Sequence, residues 1–243
     1  MAIPRIHCEH KLGPGAQFCL APEAAQHVAK ALRLQAGDAL VMFDGLGGEY
    51  EARIQRIDKS RVDVKLGQWH DVDREGALAV GLVQGLPEAD KMDWIIQKAT
   101  ELGVGWIQPI VCERSVVRLA GERAEKRAAH WRRVAIAAAE QCGRTRIPEV
   151  RPVQTFINWI AVPGSVPRWL LEPGATPIAV RDTPPTPLEL VVGPEGGLSG
   201  RERELALGRG CESVALGPRV LRAETAPIAA LAAIHALWGD FRS

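Results

Sequence analysis

Two stretches near the C-terminal end constrain the fold more than anything else in the chain. They are Val191-Val192-Gly193-Pro194-Glu195-Gly196-Gly197-Leu198-Ser199 and Leu216-Gly217-Pro218-Arg219-Val220-Leu221-Arg222-Ala223-Glu224-Thr225-Ala226. Each leaves a short apolar run, Leu188 to Val192 and Ser213 to Leu216, as a loop does at the end of a buried strand. Each then enters a helix. Ser199 and Glu202 form an S-x-x-E capping box, and Ala226 to Trp238 is alanine-rich and strongly helix-forming. Two strand-loop-helix units in succession predict a parallel sheet with both loops at one edge, where ligands bind in open α/β folds. Glycine at 193, 196 and 197 lets the backbone approach a ligand closely, and proline stiffens the turn. The alternative is a pair of ordinary strand-to-helix turns. The chain has neither a Walker A Lys-Ser/Thr pair nor G-x-G-x-x-G in these loops, so a pocket here is not one of the usual nucleotide sites.

Residues 1 to about 70 read as a small β-rich module. Val41-Met42-Phe43 leads into a turn from Asp44-Gly45 to Gly48. Tyr50, Ala52, Ile54 and Ile57 keep roughly every second position apolar. Lys59-Ser60 marks another turn, and Val62, Val64 and Leu66 alternate with Arg61, Asp63 and Lys65. A helix from Pro22 to Leu34 interrupts, with Pro22 suited to its first turn. Small barrels of this kind bind RNA or saccharides, or only support a neighbouring domain. Gln68 to Gly76 is polar and acidic and reads as a linker. Ala77 to Val83 is a continuous apolar run, a buried strand. A helix from about Glu88 to Leu102 then aligns Met92, Ile95, Ile96, Ala99 and Leu102 and stops at Gly103. Trp106 to Val111 is a second strand, completing a β-α-β unit. Glu122 to Gln141 is a long helix with Ala124, Ala128, Trp131, Ala135 and Ala138 on one stripe. From Gln154 to Pro187, prolines 163, 167, 173, 177, 184, 185 and 187 argue against a long regular element. A short strand from Arg168 to Leu171 leads into Glu172-Pro173, a candidate third wall of the same pocket.

No apolar run approaches bilayer length, and Met-Ala-Ile-Pro-Arg lacks a signal core, so a cytoplasmic protein without a membrane partner is expected. Five scattered cysteines (8, 19, 112, 142, 211) without C-x-x-C argue against disulfides and zinc. His7, Cys8 and His10 lack a fourth ligand, and no metal is expected. The net charge of +1 conceals an uneven distribution. Glu113 to Arg151 holds ten Lys/Arg against five Asp/Glu, whereas Asp71 to Cys112 holds three against seven. On the long helix Arg123, Lys126, Arg127, His130 and Arg133 share a face. That is either a phosphate-facing patch or a solvated surface.

Gly193-Pro194-Glu195-Gly196-Gly197-Leu198-Ser199 and Leu216 to Ala226 together resemble the ribosomal RNA small subunit methyltransferase E family, of the SPOUT class of knotted methyltransferases. Further matches at His27 to Arg33 with Gly37-Asp38, Asp44-Gly45, Lys91 to Gly103, Glu113-Arg114-Ser115 and Glu140 to Arg144 extend the likeness over nearly the whole chain. Cys142 stands where that family usually has serine, and Ala223 where threonine is common. The resemblance implies a PUA-like RNA-binding β-barrel over residues 1–70 and a SPOUT α/β methyltransferase domain with a trefoil knot over 71–243. Spacing alone would suggest an open doubly wound sheet, since knots are rare. The resemblance also implies S-adenosylmethionine as methyl donor, N3 of a uridine in the 16S ribosomal RNA of the 30S subunit as acceptor, and a homodimer.

That chemistry sets a definite problem. The N3–H of uracil lies between two carbonyls and must lose its proton before its lone pair can attack in line. Negative charge then spreads onto the uracil oxygens, which suits a permanently charged, planar arginine. On this reading Arg222 stabilises that charge, Arg219 or Arg144 holds a backbone phosphate, and Glu224 or Glu140 accepts the proton. The competing assignment is structural, as ion pairs Arg222–Glu224 and Glu140–Arg144. Candidate donor contacts are Leu171, Val192, Gly193, Glu195, Gly196, Gly197, Leu216, Arg219, Leu221, Thr225 and Ala226. Candidate RNA contacts are Arg33, Arg114, Arg123, Lys126, Arg127, Arg144 and Arg219. Two other functions stay open at this point: a Rossmann-like enzyme using another nucleotide, and a catalytically silent RNA-binding or ribosome-assembly module.

Overall fold

The computed structural model describes residues 3–58, 61–163, 166–184 and 186–242, so the turn read at Lys59-Ser60 and the proline at 185 lie outside the described residues. Two compact units emerge. One comprises Met1–Glu75 with Ala139–Ile147, the other Gly76–Ala138 with Pro148–Ser243. The first division falls inside the polar stretch read as a linker. Residues 139–147, part of the second domain in the sequence reading, cluster with the first unit.

The first unit is built on β1 (Arg5–His7), β2 (Gln17–Cys19), β3 (Ala39–Phe43), β4 (Glu49–Asp58) and β5 (Arg61–His70). Their order is β1-β3-β4-β5-β2, with only β1 and β3 parallel. The alternation on β4 and β5 turns Ala52, Ile54, Val62, Val64 and Leu66 into one core with Ile6, Leu40 and Met42. The helix after Pro22 starts as α1 (Pro22–Gln26), with proline in its first turn, and continues as a π-helical turn over His27–Ala31. Residues 139–147 join this unit through polar contacts. The His7 N–H donates to Glu140 Oε1 at 2.8 Å, and Thr145 Oγ1 donates to the Val72 carbonyl at 3.0 Å. Arg144 is buried against Glu75, with Nε to Oε1 at 2.9 Å. Burial pushes the Glu140 carboxyl up, against the opposing pull of the His7 N–H and the His27 and Arg5 charges.

The second unit runs β6 (Val80–Gly85), α2 (Lys91–Glu101), β7 (Trp106–Val111), α3 (Gly121–Cys142), β8 (Glu149–Val150), β9 (Gln154–Thr155), α4 (Phe156–Ala161), β10 (Arg168–Pro177), β11 (Leu188–Val192), α5 (Gly200–Gly208), β12 (Glu212–Ala215) and α6 (Thr225–Trp238). Residues 139–142 of α3 belong to the first unit. The strand order is β12-β10-β11-β6-β7-β8, with β9 also on β7, and every pairing is parallel. All the strand C-termini therefore meet one edge, the expectation from the two glycine loops. β6 and β11 are buried throughout, as central parallel strands are. At their N-terminal ends a buried charge is locked in place. Glu189 accepts from Arg168 Nε at 2.9 Å and from Trp106 Nε1 at 3.2 Å, and Arg168 stacks on Trp159 at 4.4 Å. The α2 stripe of Met92, Ile95, Ile96 and Ala99 is buried, and Gly103 ends the helix at φ 81°.

Two elements depart from the sequence reading. β10 extends to Pro177 despite its prolines. Its register against β12 shifts between Leu171 and Thr176, so Pro173 sits in a bulge where no ladder N–H is needed, beside Gly174 at φ 79°. α4 was not expected. Thr155 starts it by accepting from the Asn158 N–H at 3.2 Å, and Phe156, Trp159 and Ile160 are buried. Among the described residues no helix is long and apolar enough to cross a membrane.

Candidate active site

The loops after β11 and β12, with the bulged stretch of β10 between them, line a cavity of about 590 Å³ within the second unit. That is ample for a nucleoside-sized ligand. The first wall is residues 192–198, the second is Leu216, Gly217, Arg219 to Glu224 and Ala226, and the third is Leu170 to Pro173. The third wall is tied back by Glu172, which accepts from Ser213 Oγ at 2.5 Å and from Arg203 Nε at 2.7 Å.

The first glycine loop is held on every side. The Gly197 N–H closes a turn on the Pro194 carbonyl at 2.8 Å, with Gly197 at φ 65°. A Cβ on Gly193 would come within 3.1 Å of the Gly197 backbone, and one on Gly85 within 2.6 Å of the Pro194 nitrogen. Arg114 Nη1 donates to the Gly196 carbonyl at 3.0 Å. The expected capping box is formed: Ser199 Oγ accepts from the Glu202 N–H, and Glu202 Oε2 accepts from the Ser199 N–H at 2.9 Å. The other oxygen of Glu202 accepts from the Glu113 N–H at 2.9 Å, so one buried carboxylate joins the loop after β7 to the start of α5.

The second loop presents cations outward and one acid inward. Arg219, Val220 and Arg222 are exposed, and among the described residues neither guanidinium makes a hydrogen bond or ion pair. The Arg222–Glu224 pair weighed in the sequence reading is not formed. Instead Glu224 Oε2 is buried without a hydrogen bond and lies 3.7 Å from Lys91 Nζ. Lys91 itself donates to Glu195 Oε1 at 2.7 Å, an oxygen that also accepts the Glu88 N–H at 3.0 Å. Partial burial acts to raise the Glu195 carboxyl, but Lys91 and the Glu88 N–H outweigh it and hold it below its ordinary value.

Measured against the sequence reading, every candidate donor contact lines this cavity except Thr225, which is exposed in the first turn of α6. Arg222 and Glu224 line it too. Glu140 and Arg144 are not part of its wall. Both lie in the first unit, and the Arg144 guanidinium is buried on Glu75 rather than presented to a phosphate. Lys91 was missed as a wall residue. None of the remaining candidate cations is part of the cavity wall. Arg33 is exposed in the first unit at φ 54°. On α3 Arg123 is exposed, Lys126 pairs with Glu122 at 2.7 Å, and Arg127 lies 3.7 Å from Asp90 and 5.9 Å from the Trp131 ring centroid.

A family model described as an RNA methyltransferase domain matches residues 74–235, and one described as an RNA methyltransferase PUA domain matches residues 20–67. The ribosomal RNA small subunit methyltransferase E of Bacillus subtilis is 34% identical over 227 residues, 89% of either chain. The chain belongs to the ribosomal RNA small subunit methyltransferase E family. A member of that family from Neisseria gonorrhoeae, solved bound to S-adenosylmethionine, is 35% identical with a TM-score of 0.94, covering 99% of this chain and 100% of its own. A Legionella pneumophila protein solved with the same cofactor is 36% identical with a TM-score of 0.95 over 99% of this chain and 100% of its own.

Proposed function

We infer that this member of the methyltransferase E family transfers a methyl group from S-adenosylmethionine to ribosomal RNA of the small subunit. The observation that carries this reading is the cavity itself. It has apolar walls at Leu171, Val192, Leu216, Leu221 and Ala226, bare backbone at Gly193 and Gly197, and a buried Glu224 oxygen with no hydrogen bond. The apolar walls and bare backbone suit a ligand that is part adenine, part polar amino acid. When bound, S-adenosylmethionine supplies an electrophilic methyl group on a sulfonium centre.

The acceptor we propose is N3 of a uridine in 16S RNA. Arg222, unpaired at the mouth of the cavity, neutralises the charge that forms on the uracil oxygens, and Arg219 holds a neighbouring phosphate. Glu224 takes the N3 proton. Arg114, Arg123, Lys126, Arg127 and Arg33 contribute phosphate contacts, with residues 1–70 acting as the RNA-binding PUA-like module and 71–243 as the methyltransferase domain. In keeping with the resemblance, we further propose that the chain end from 216 onward threads a trefoil knot. We also propose a cytoplasmic homodimer, for which the half-exposed Ala229, Ala232 and Ala233 of α6 offer a close-packing face.

Mass spectrometry of 16S RNA from a deletion strain, with and without the gene restored, tests the reading. A missing methyl group at one uridine that returns on complementation supports it. An unaltered RNA would remove it. Two glycine substitutions probe the cavity. Gly197→Val places a β-branched side chain at φ 65° and should weaken S-adenosylhomocysteine binding by calorimetry at least about a hundredfold. Gly85→Ala, whose Cβ meets the Pro194 nitrogen, should weaken it by about tenfold through displacement of the same loop. Unchanged affinity in either variant contradicts the placement of the donor on that loop.

A further inference from the structure

Lys91 opens α2 and reaches both ligand loops. Its Nζ lies 2.7 Å from Glu195 Oε1 on the first loop and 3.7 Å from Glu224 Oε2 on the second. The two contacts are unequal. The Glu195 contact is a hydrogen bond, and it duplicates other anchors of that loop, since the Glu88 N–H also holds Glu195 and Arg114 holds the Gly196 carbonyl. The Glu224 contact has no duplicate. Lys91 is the only cation within ion-pair distance of Glu224 among the described residues, and the Glu224 oxygen facing it has no hydrogen bond.

We propose that Lys91 is a positioning residue that spans the two ligand loops and fixes the Glu224 carboxylate on the second of them, where it receives a proton from the acceptor base. This rests on the methyl-transfer reading, in which Glu224 is the proton acceptor. A carboxylate oxygen that is buried without a hydrogen bond is costly unless an opposite charge lies close by. The lysine supplies the compensating charge from 3.7 Å, too far to occupy the oxygen and close enough to stabilise it. Its bond to Glu195 fixes the ammonium so that it stays there. The other charged groups around this triad are Glu88 before α2, Glu172 on the third wall, and Arg219 and Arg222 on the second loop.

The test compares wild-type protein with Lys91→Met and Lys91→Arg in three measurements: S-adenosylhomocysteine affinity, kcat on small-subunit RNA, and the pH dependence of kcat. Lys91→Met should bind S-adenosylhomocysteine within about threefold of wild type, because the first loop keeps its other anchors, while kcat falls at least about tenfold. Its acid limb should move to higher pH, since the cation beside the proton acceptor is lost. Lys91→Arg should return the limb to its wild-type position. A residue that merely braced the fold would scale the whole profile without moving the limb. If Lys91→Met does not fold, Lys91→Gln, which keeps a donor for Glu195 but no charge, makes the same comparison. Turnover at the wild-type rate, or an unmoved acid limb, in the neutral variant overturns this role while leaving the methyl-transfer reading intact. Wild-type protein that binds no S-adenosylhomocysteine overturns both.

Discussion

Arg222→Ala is expected to reduce methyl transfer by about a hundredfold to a thousandfold, the range found when one preorganised donor to a developing oxyanion is removed. Binding of S-adenosylhomocysteine should change little. The side chain is exposed at the mouth, and its loss breaks no hydrogen bond or ion pair among the described residues. Its backbone work survives substitution, because the Arg222 carbonyl accepts the Thr225 and Ala226 N–H groups at 2.9 Å whatever the side chain. The comparison with Lys is informative. A lysine keeps the charge but loses the planar fork, so recovery of only part of the rate would point to bidentate contact with the base. Calorimetry and single-turnover methylation of 16S RNA, run on the same preparations, separate the two effects. Near-normal turnover in Arg222→Ala would take this residue out of the chemistry.

The largest effect on stability should come from Gly81→Ala, far from the ligand loops. A Cβ at Gly81 would lie 2.0 Å from Trp106 Cε2. The indole cannot swing aside without cost. Its Nε1 donates to the buried Glu189, and the Arg151 guanidinium sits 5.1 Å from the ring centroid on β7. Moving it leaves a buried carboxylate short of one donor. We expect a loss of about 3 kcal/mol, the upper part of the range for overpacking, seen as a drop of roughly 10 °C in the melting midpoint for a chain of this size. In a Trp106→Leu background the same glycine change should cost much less, because the two residues are coupled. A single variant within about 0.5 kcal/mol of wild type in urea would show that the indole has a second resting place.

The parts of the fold that were legible are those written in local patterns. β4 and β5 were readable because one face is buried and one is wet, so Ala52, Ile54, Val62, Val64 and Leu66 alternate with charges. β7 and β11 were readable as apolar runs, and the Ser199–Glu202 box marked the start of α5. β10 was not, since Pro173 and Pro177 look like breakers until the bulge that houses them is seen. α4 buries three large side chains but is only six residues long, too short for a helical period to stand out. The site follows the same division. Two of its walls could be found because each follows a parallel strand, and such loops converge by topology. The surroundings of Arg144 and Glu140 were not legible, because their motif is local while their partners are not: Glu75 is 69 residues before Arg144 and His7 is 133 before Glu140. Lys91 carries no signature beyond being one cation at a helix start, and only its distances to Glu195 and Glu224 single it out.

The composition of the first unit bears on how the chain is made. Residues 1–75 leave the ribosome early, yet Glu75 and the His7 N–H have their partners at Arg144 and Glu140. Domains ordinarily fold as soon as their last residue emerges. Here that residue is Ile147, well after synthesis of the second unit has begun. Nascent chains stalled before residue 139 should therefore remain open to protease in a region that looks, by sequence order, as though it were already finished.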